Sequence, residues 1–220
     1  MRRVVTNSQT CVQLNNQAVA ALSSTRAVLI GDLILDAYVY GETVRVSREA
    51  PVLVVRKLST EHRLGGAANT AANLAALGVR TTVLGAVGDD DAGARVRDLL
   101  REAGVDVTGL RTCERTTPLK TRVLAGAFGT SRQQVLRLDD EPGEPLAESI
   151  RQGLGQDLLD LAPRVDVVVV SDYGLGTVGP PVHEAARRLA QEGSVPVCAE
   201  SRFELSSLAG VTAVTPNVPE

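Results

Sequence analysis

Tryptophan is absent, and three tyrosines and two phenylalanines make up only 2% of the 220 residues. So few rings exclude the aromatic platforms on which single-stranded nucleic acids stack. Excess positive charge is lacking too. Lys and Arg number 23 against 26 Asp and Glu, a net charge of −3. That balance excludes a broadly basic nucleic-acid binder but leaves room for a local basic pocket. Cysteine is scarce: Cys11, Cys113 and Cys198 are odd in number and far apart, which fits neither a disulfide framework nor a zinc site. Cys198, in an apolar run, reads as a small core residue. His62 and His183 have no obvious partners and are given no catalytic role. The serines lack a G-x-S-x-G elbow, so a hydrolase has no support. No apolar run reaches the roughly 20 residues that cross a bilayer. Met1-Arg2-Arg3 opens like a targeting signal, but residues 7–17 are polar where a hydrophobic segment would be needed. The expectation is a reduced, cytoplasmic protein without a membrane or nucleic-acid partner.

What is present suits one folded domain with a small appendage: 44% apolar and 22% charged residues in a chain long enough to bury its own core. Residues 1–25 are rich in Ser, Thr, Asn and Gln and are expected to form a flexible extension. From Arg26 onward, apolar runs alternate with helical periodicity. Strands are predicted at 27–30, 52–55, 81–87, 165–170, 195–199 and 211–215, and helices at 69–77, 91–103, 147–161 and 182–190. Val165 to Val170 is apolar on both faces, which belongs in a sheet covered on both sides. Residues 119–125 and 134–138 have a period nearer two and flank Gly126 to Thr130, the pattern of a hairpin. The fold class is therefore α/β, a doubly wound and mainly parallel sheet carrying a small β appendage.

Polar residues recur where strands end, at Gly31-Asp32 with Asp36 after it, at Ser171-Asp172-Tyr173-Gly174 and at Thr215-Pro216-Asn217. Ligands of open α/β sheets bind beyond the carboxyl ends of the strands, although Asp and Gly are also ordinary turn residues. Gly65-Gly66-Ala67-Ala68-Asn69 leads into a helix and lets a ligand approach the backbone; Asn69 either caps that helix or meets a sugar hydroxyl. Lys120 and Arg122 alternate and so face one side, as guards of an edge strand or as contacts for an anion. Asp139-Asp140-Glu141 reads as a solvated turn, and Asp89-Asp90-Asp91 as a helix N-terminus.

Taken in order, these segments resemble the PfkB, or ribokinase-like, carbohydrate kinases. The resemblance covers about residues 26–220. It is carried by Gly31-Asp32-Leu33-Ile34-Leu35-Asp36, Ser47-Arg48-Glu49-Ala50-Pro51-Val52, Gly65-Gly66-Ala67-Ala68-Asn69, Val87-Gly88-Asp89-Asp90-Asp91-Ala92-Gly93, Thr117-Pro118-Leu119-Lys120-Thr121-Arg122, Leu136-Arg137-Leu138-Asp139, Ser171-Asp172-Tyr173-Gly174 and Thr215-Pro216-Asn217-Val218-Pro219-Glu220. Within the family the chain is most similar to the kinase domain of bifunctional heptose 7-phosphate kinase/ADP-heptose synthases. The resemblance implies ATP-dependent phosphorylation of a sugar or sugar phosphate. It implies that Asp36, Gly65, Gly66 and Asn69 hold sugar hydroxyls, and that Lys120 and Asp172 line the same pocket. Lys120, with Arg122, would meet the sugar phosphate. Asn217 and Glu220 would organise Mg2+ and the ATP phosphates, Glu220 on the metal side. The β segments near 40–60 and 117–140 would be a lid that closes over the sugar and forms a homodimer.

Three departures from the family pattern bear on function. The Asp-Tyr-x-Lys-Gly of the family is Asp172-Tyr173-Gly174-Leu175-Gly176 here, without its cation, and Asp-Pro-Lys is Glu200-Ser201-Arg202. The Gly-Ala-Gly-Asp segment that supplies the family's catalytic base does not occur up to Glu220, so no catalytic residue is assigned. Residues 26–220 read as the N-terminal part of a kinase domain, expected to have weak or no activity by itself. The competing reading is a non-catalytic sugar-binding or dimerisation module.

Overall fold

The computed structural model describes residues 19–127, 131–202 and 205–215. Of the expected extension, residues 1–18 lie outside that set, and residues 19–22 form a helical turn rather than unstructured chain. Six parallel strands make the larger sheet: β1 (Arg26–Gly31), β4 (Arg80–Gly88), β5 (Asp106–Cys113), β8 (Val167–Asp172), β9 (Val197–Ser201) and β10 (Ala213–Val214), in the order β10-β9-β8-β1-β4-β5. The central strand β1 pairs with β4 on one side and β8 on the other.

The apolar runs at β1, β4 and β8 are continuous because both faces of this sheet are covered. Val28, Ile30, Leu84, Val168 and Val170 pack to one side, against Leu154 and Leu158 of helix α3 (Glu148–Leu161) and Val182, Ala186 and Leu189 of α4 (Pro180–Gln191). Leu29, Val83 and Val87 point the other way, onto α1 (Gly66–Ala76) and α2 (Asp91–Glu102). This is the two-residue alternation of a strand, read here with both sides dry. Ala67, Ala68 and Ala71 let α1 lie close to the sheet, and all three are fully buried. Asp90 caps α2 by accepting the Gly93 N–H at 2.7 Å, as its place before the helix suggests. Two hydrogen bonds from Thr117, the backbone N–H and the hydroxyl at 2.8 Å each, tie the same carboxylate to the strand that follows.

A second, mixed sheet of four strands has the order β3-β2-β6-β7, with β2 at Leu33–Val46, β3 at Leu53–Gly65, β6 at Leu119–Gly126 and β7 at Gln133–Asp140. The hairpin expected over 119–138 is the antiparallel pair β6–β7. Strand β5 and the first half of β2 were not anticipated, because polar residues interrupt their sequences; the rest of β2 falls in the β segment expected near 40–60. Asp139 and Asp140 belong to β7 and not to a turn. Strand β6 sits between β2 and β7, so Lys120 and Arg122 do not guard an edge. Cys198 is half-buried rather than in the core.

Candidate functional site

A single residue links the first strands of the two sheets. Asp32 is the only residue between β1 and β2, and it is 1% exposed. Its carboxylate accepts three backbone N–H groups from the loop after β8: Tyr173 at 2.9 Å, Leu175 at 3.0 Å and Thr177 at 2.9 Å. Its carbonyl accepts the N–H of Ala67, 2.9 Å away in the first turn of α1. The side chain that reads locally as a turn former thus fastens a loop about 140 positions further along the chain. Leu175 is held again from outside by Arg115, whose Nη1 donates to its carbonyl. Burial pushes the Arg115 guanidinium down from its ordinary pKa.

That loop begins at Asp172, at the carboxyl end of β8. Asp172 is 5% exposed and accepts Ser201 Oγ at 2.6 Å and the Gly174 N–H at 2.9 Å. Burial nevertheless raises its pKa above the usual carboxylate range, outweighing the two hydrogen bonds, and the nearby Asp32 pushes the same way. Beside it, Ser171 Oγ donates to Glu200 at 2.7 Å, and the Arg202 guanidinium lies 5.0 Å from the Tyr173 ring centroid. Strands β1, β8 and β9 therefore bring Asp32, Ser171, Asp172, Glu200 and Ser201 together at their carboxyl ends.

The second group lies on one face of the smaller sheet. Strand register sets Arg63, Asp36, Lys120 and Asp139 side by side across β3, β2, β6 and β7, with Glu61, Tyr38, Arg122 and Arg137 in the next row of the same face. Arg122 Nη1 lies 2.5 Å from Asp36 Oδ1. Arg63 pairs with Glu61, and Arg137 with Asp139, which holds the Asp139 carboxyl below its ordinary pKa. Arg63 and Arg122 both lie over the Tyr38 ring, 5.0 and 5.4 Å from its centroid, a cation–π arrangement. Lys120 is 8% exposed and forms no ion pair among the described residues.

Gly65 and Gly66 are needed at the end of β3 for different reasons. A Cβ on Gly65 would stand 2.7 Å from Asp36 Oδ2, and one on Gly66 would stand 2.6 Å from the Asp32 carbonyl, at a φ of +54°. Gly65 opens α1 with no side-chain cap, and Asn69 is exposed in the fourth helical position. Asn69 is therefore not the cap of this helix.

Of the residues singled out in the sequence, Asp36, Gly65 and Lys120 are brought together with Arg122, and Gly66 connects them to Asp32 and so to the Asp172 loop. Asn217 and Glu220 lie outside the described residues. Among the described residues no group of three His, Cys, Asp or Glu side chains could hold a metal, and no helix is long and apolar enough to cross a membrane. Sequence reasoning missed the clamp made by Asp32 and the direct Asp36–Arg122 pair. The alternation of Asp36 with Tyr38, and of Lys120 with Arg122, is the signal that puts these side chains on one face; their partnership needs the strand order.

A doubly wound sheet with a four-stranded sheet spliced into its first strand defines a ribokinase-like fold. It aligns with a possible 1-phosphofructokinase from Thermotoga maritima at a TM-score of 0.68 and 20% identity, covering 88% of this chain and 61% of that one. It also aligns with ribokinase from Arabidopsis thaliana, solved with ribose and ATP, at 0.60 and 17%, covering 88% and 60%. Residues 24–220 match the pfkB family carbohydrate kinases, and the chain belongs to that family. Relatives named bifunctional protein HldE are 40% identical over 200 residues in Citrifermentans bemidjiense and 38% identical over 200 residues in Trichlorobacter lovleyi, each alignment covering 90% of this chain. The chain spans about 40% of the length of these curated relatives.

Proposed function

We propose that this chain supplies the acceptor-sugar side of a kinase that transfers the γ-phosphoryl group of ATP to a sugar phosphate of the heptose 7-phosphate type. The observation that carries this reading is the pairing of Asp36 with Lys120 across β2 and β6, with Gly65 close against the Asp36 carboxylate and Arg122 bonded to it from the next row. Asp36 offers carboxylate oxygens to sugar hydroxyls, and Gly65 leaves the second oxygen clear. Lys120 and Arg122 offer an ammonium and a planar guanidinium to a phosphate, a combination of point charge and fork that suits a tetrahedral dianion. On this reading Asp172, buried at the end of β8, lines the sugar on its other side, and Asn69, exposed in the first turn of α1, meets a further hydroxyl.

When bound, ATP supplies the phosphoryl group, and Mg2+ supplies countercharge. The described residues present no metal cluster, so the metal enters this reading only through family membership, with Asn217 and Glu220 as its candidates. The acceptor hydroxyl oxygen bonds to the γ-phosphorus as the bond to the ADP oxygen breaks, and the hydroxyl proton departs to a base that we assign to no residue of this chain. The smaller sheet acts as the lid, keeping water from the phosphoryl group.

Homodimerisation is supported by the opposite face of that sheet, where Leu136 and Leu138 are about half exposed beside Val39 and Val123. Such a face also suits a sugar-binding or dimerisation module without catalysis.

Calorimetric titration with heptose 7-phosphate tests the site. Saturable binding is expected, weakened about tenfold or more by Lys120→Ala, the loss of one charge-assisted contact. Binding that is indifferent to Lys120 would remove the basis for the reading. Release of ADP from ATP and heptose 7-phosphate separates a kinase from a module that only binds.

A further inference from the structure

Arg122 is committed to the very carboxylate that the proposed function gives to the sugar. Its Nη1 lies 2.5 Å from Asp36 Oδ1, and the two side chains are only 23% and 16% exposed. The Tyr38 ring supports the guanidinium from below. The neighbouring cations are spoken for: Arg63 by Glu61 and Arg137 by Asp139. Lys120, beside Asp36 in the neighbouring strand, forms no ion pair among the described residues.

We propose that the Asp36–Arg122 ion pair is an exchangeable contact through which this pocket selects polyols bearing an anionic group and rejects neutral ones. The proposal rests on the sugar-site reading of Asp36. A polyol that takes both Asp36 oxygens must open the pair. In a half-buried setting, opening it takes the Arg122 charge from its direct partner while the neighbouring Asp139 is already held by Arg137, which is costlier than the pair itself is favourable. A ligand carrying a phosphate or carboxylate hands Arg122 a replacement, so charge is conserved in the exchange. A neutral sugar satisfies Asp36 and gives Arg122 nothing. Arg122 thus acts against the wrong ligand as well as for the right one, the repulsive half of specificity.

This differs from a plain phosphate contact in the sign of one effect. Removing a simple contact weakens the phosphorylated sugar and leaves the neutral sugar untouched. Removing an exchangeable partner weakens the phosphorylated sugar and strengthens the neutral one, because Asp36 is set free.

The experiment is calorimetric titration of the whole chain with heptose 7-phosphate, free heptose and inorganic phosphate. The proteins compared are wild type, Arg122→Gln and Asp36→Asn. Wild type is expected to prefer the phosphorylated sugar. In Arg122→Gln, affinity for heptose 7-phosphate falls about tenfold or more while affinity for free heptose rises, collapsing the ratio. In Asp36→Asn, inorganic phosphate binds more tightly because Arg122 is released. This second variant tests the pair without removing the arginine, should Arg122→Gln fail to fold. A parallel loss of both sugars in folded Arg122→Gln, or unchanged free-heptose affinity, overturns the exchange and leaves the sugar site standing. So does unchanged phosphate affinity in Asp36→Asn. Wild-type protein that binds neither sugar overturns the site itself, and the exchange with it.

Discussion

Replacing Asp32 with alanine should unfold much of what holds this protein together, although the residue touches no proposed ligand. The carboxylate is 1% exposed and receives N–H groups from Tyr173, Leu175 and Thr177 at 2.9–3.0 Å. Hydrogen bonds to a charged group contribute about 1.5–3 kcal/mol each, and the donors left without this acceptor are buried at Thr177 and half-buried at Tyr173 and Leu175. Three such bonds put the loss for Asp32→Ala at about 4 kcal/mol or more, a large share of the ~5–15 kcal/mol that keeps an ordinary domain folded. Asp32→Asn is milder. The oxygen at the Oδ2 position keeps the Tyr173 and Leu175 donors, while an amide NH2 turned toward Thr177 sets donor against donor. The loss there is about 2 kcal/mol. With no tryptophan to report on the transition, urea unfolding followed by far-ultraviolet circular dichroism is the assay, with the slope on denaturant checked for constancy. A loss below about 1 kcal/mol for Asp32→Ala would refute the assignment of Asp32 as the anchor of the β8 loop.

Two further expectations concern pH. Asp172 has a pKa raised by burial, so its ionisation opposes folding. The penalty is absent at low pH, where the carboxyl is protonated in both states, and develops as pH rises from the ordinary carboxylate range through the raised folded pKa. Asp172→Asn keeps an acceptor for Gly174 and a partner for Ser201. It should therefore gain on wild type at pH 7 relative to pH 3.5, and a difference independent of pH would count against it. Asp166 behaves in the opposite sense. Hydrogen bonds from the Arg26 side chain and backbone hold its pKa at about 2, so its contribution is present above the ordinary carboxylate pKa and is lost as pH falls toward 2. Titration of this carboxyl by NMR should show it still ionised at pH 3; a midpoint near 4 would contradict the pairing.

The parts of the fold legible in the sequence are those whose burial is symmetrical. The Val run of β8 and the apolar run of β1 declare themselves because both faces are dry. The helices show through their periodicity and through Asp90, Pro180 and Gly78 at their ends. The first half of strand β2 escaped because its residues serve two environments in turn. Leu33, Leu35 and Ala37 enter the core, while Asp36, Tyr38 and Tyr40 line the opposite, charged face. Strand β5 carries Asp106, Thr108 and Arg111 among its apolar residues and sits at an edge. At the site, residue types were readable and partnerships were not. Asp36 and Arg122 are 86 positions apart, and Asp32 reaches a loop 141–145 positions away. Such contacts depend on the strand order, which local pattern does not encode.

The splice between the sheets has a mechanical corollary. The chain passes from one sheet to the other through Asp32 alone, and returns to the larger layer through Gly65 and Gly66 with no intervening loop. The remaining crossings are longer, and of these 114–118 is fastened through Thr117 to Asp90, leaving 141–147 as the longest joint. Any rocking of the four-stranded sheet would therefore pivot about residues 32 and 65–66 and be taken up chiefly at 141–147. Because Asp32 also grips the segment after β8, tilting the smaller sheet would pull on the loop that follows Asp172.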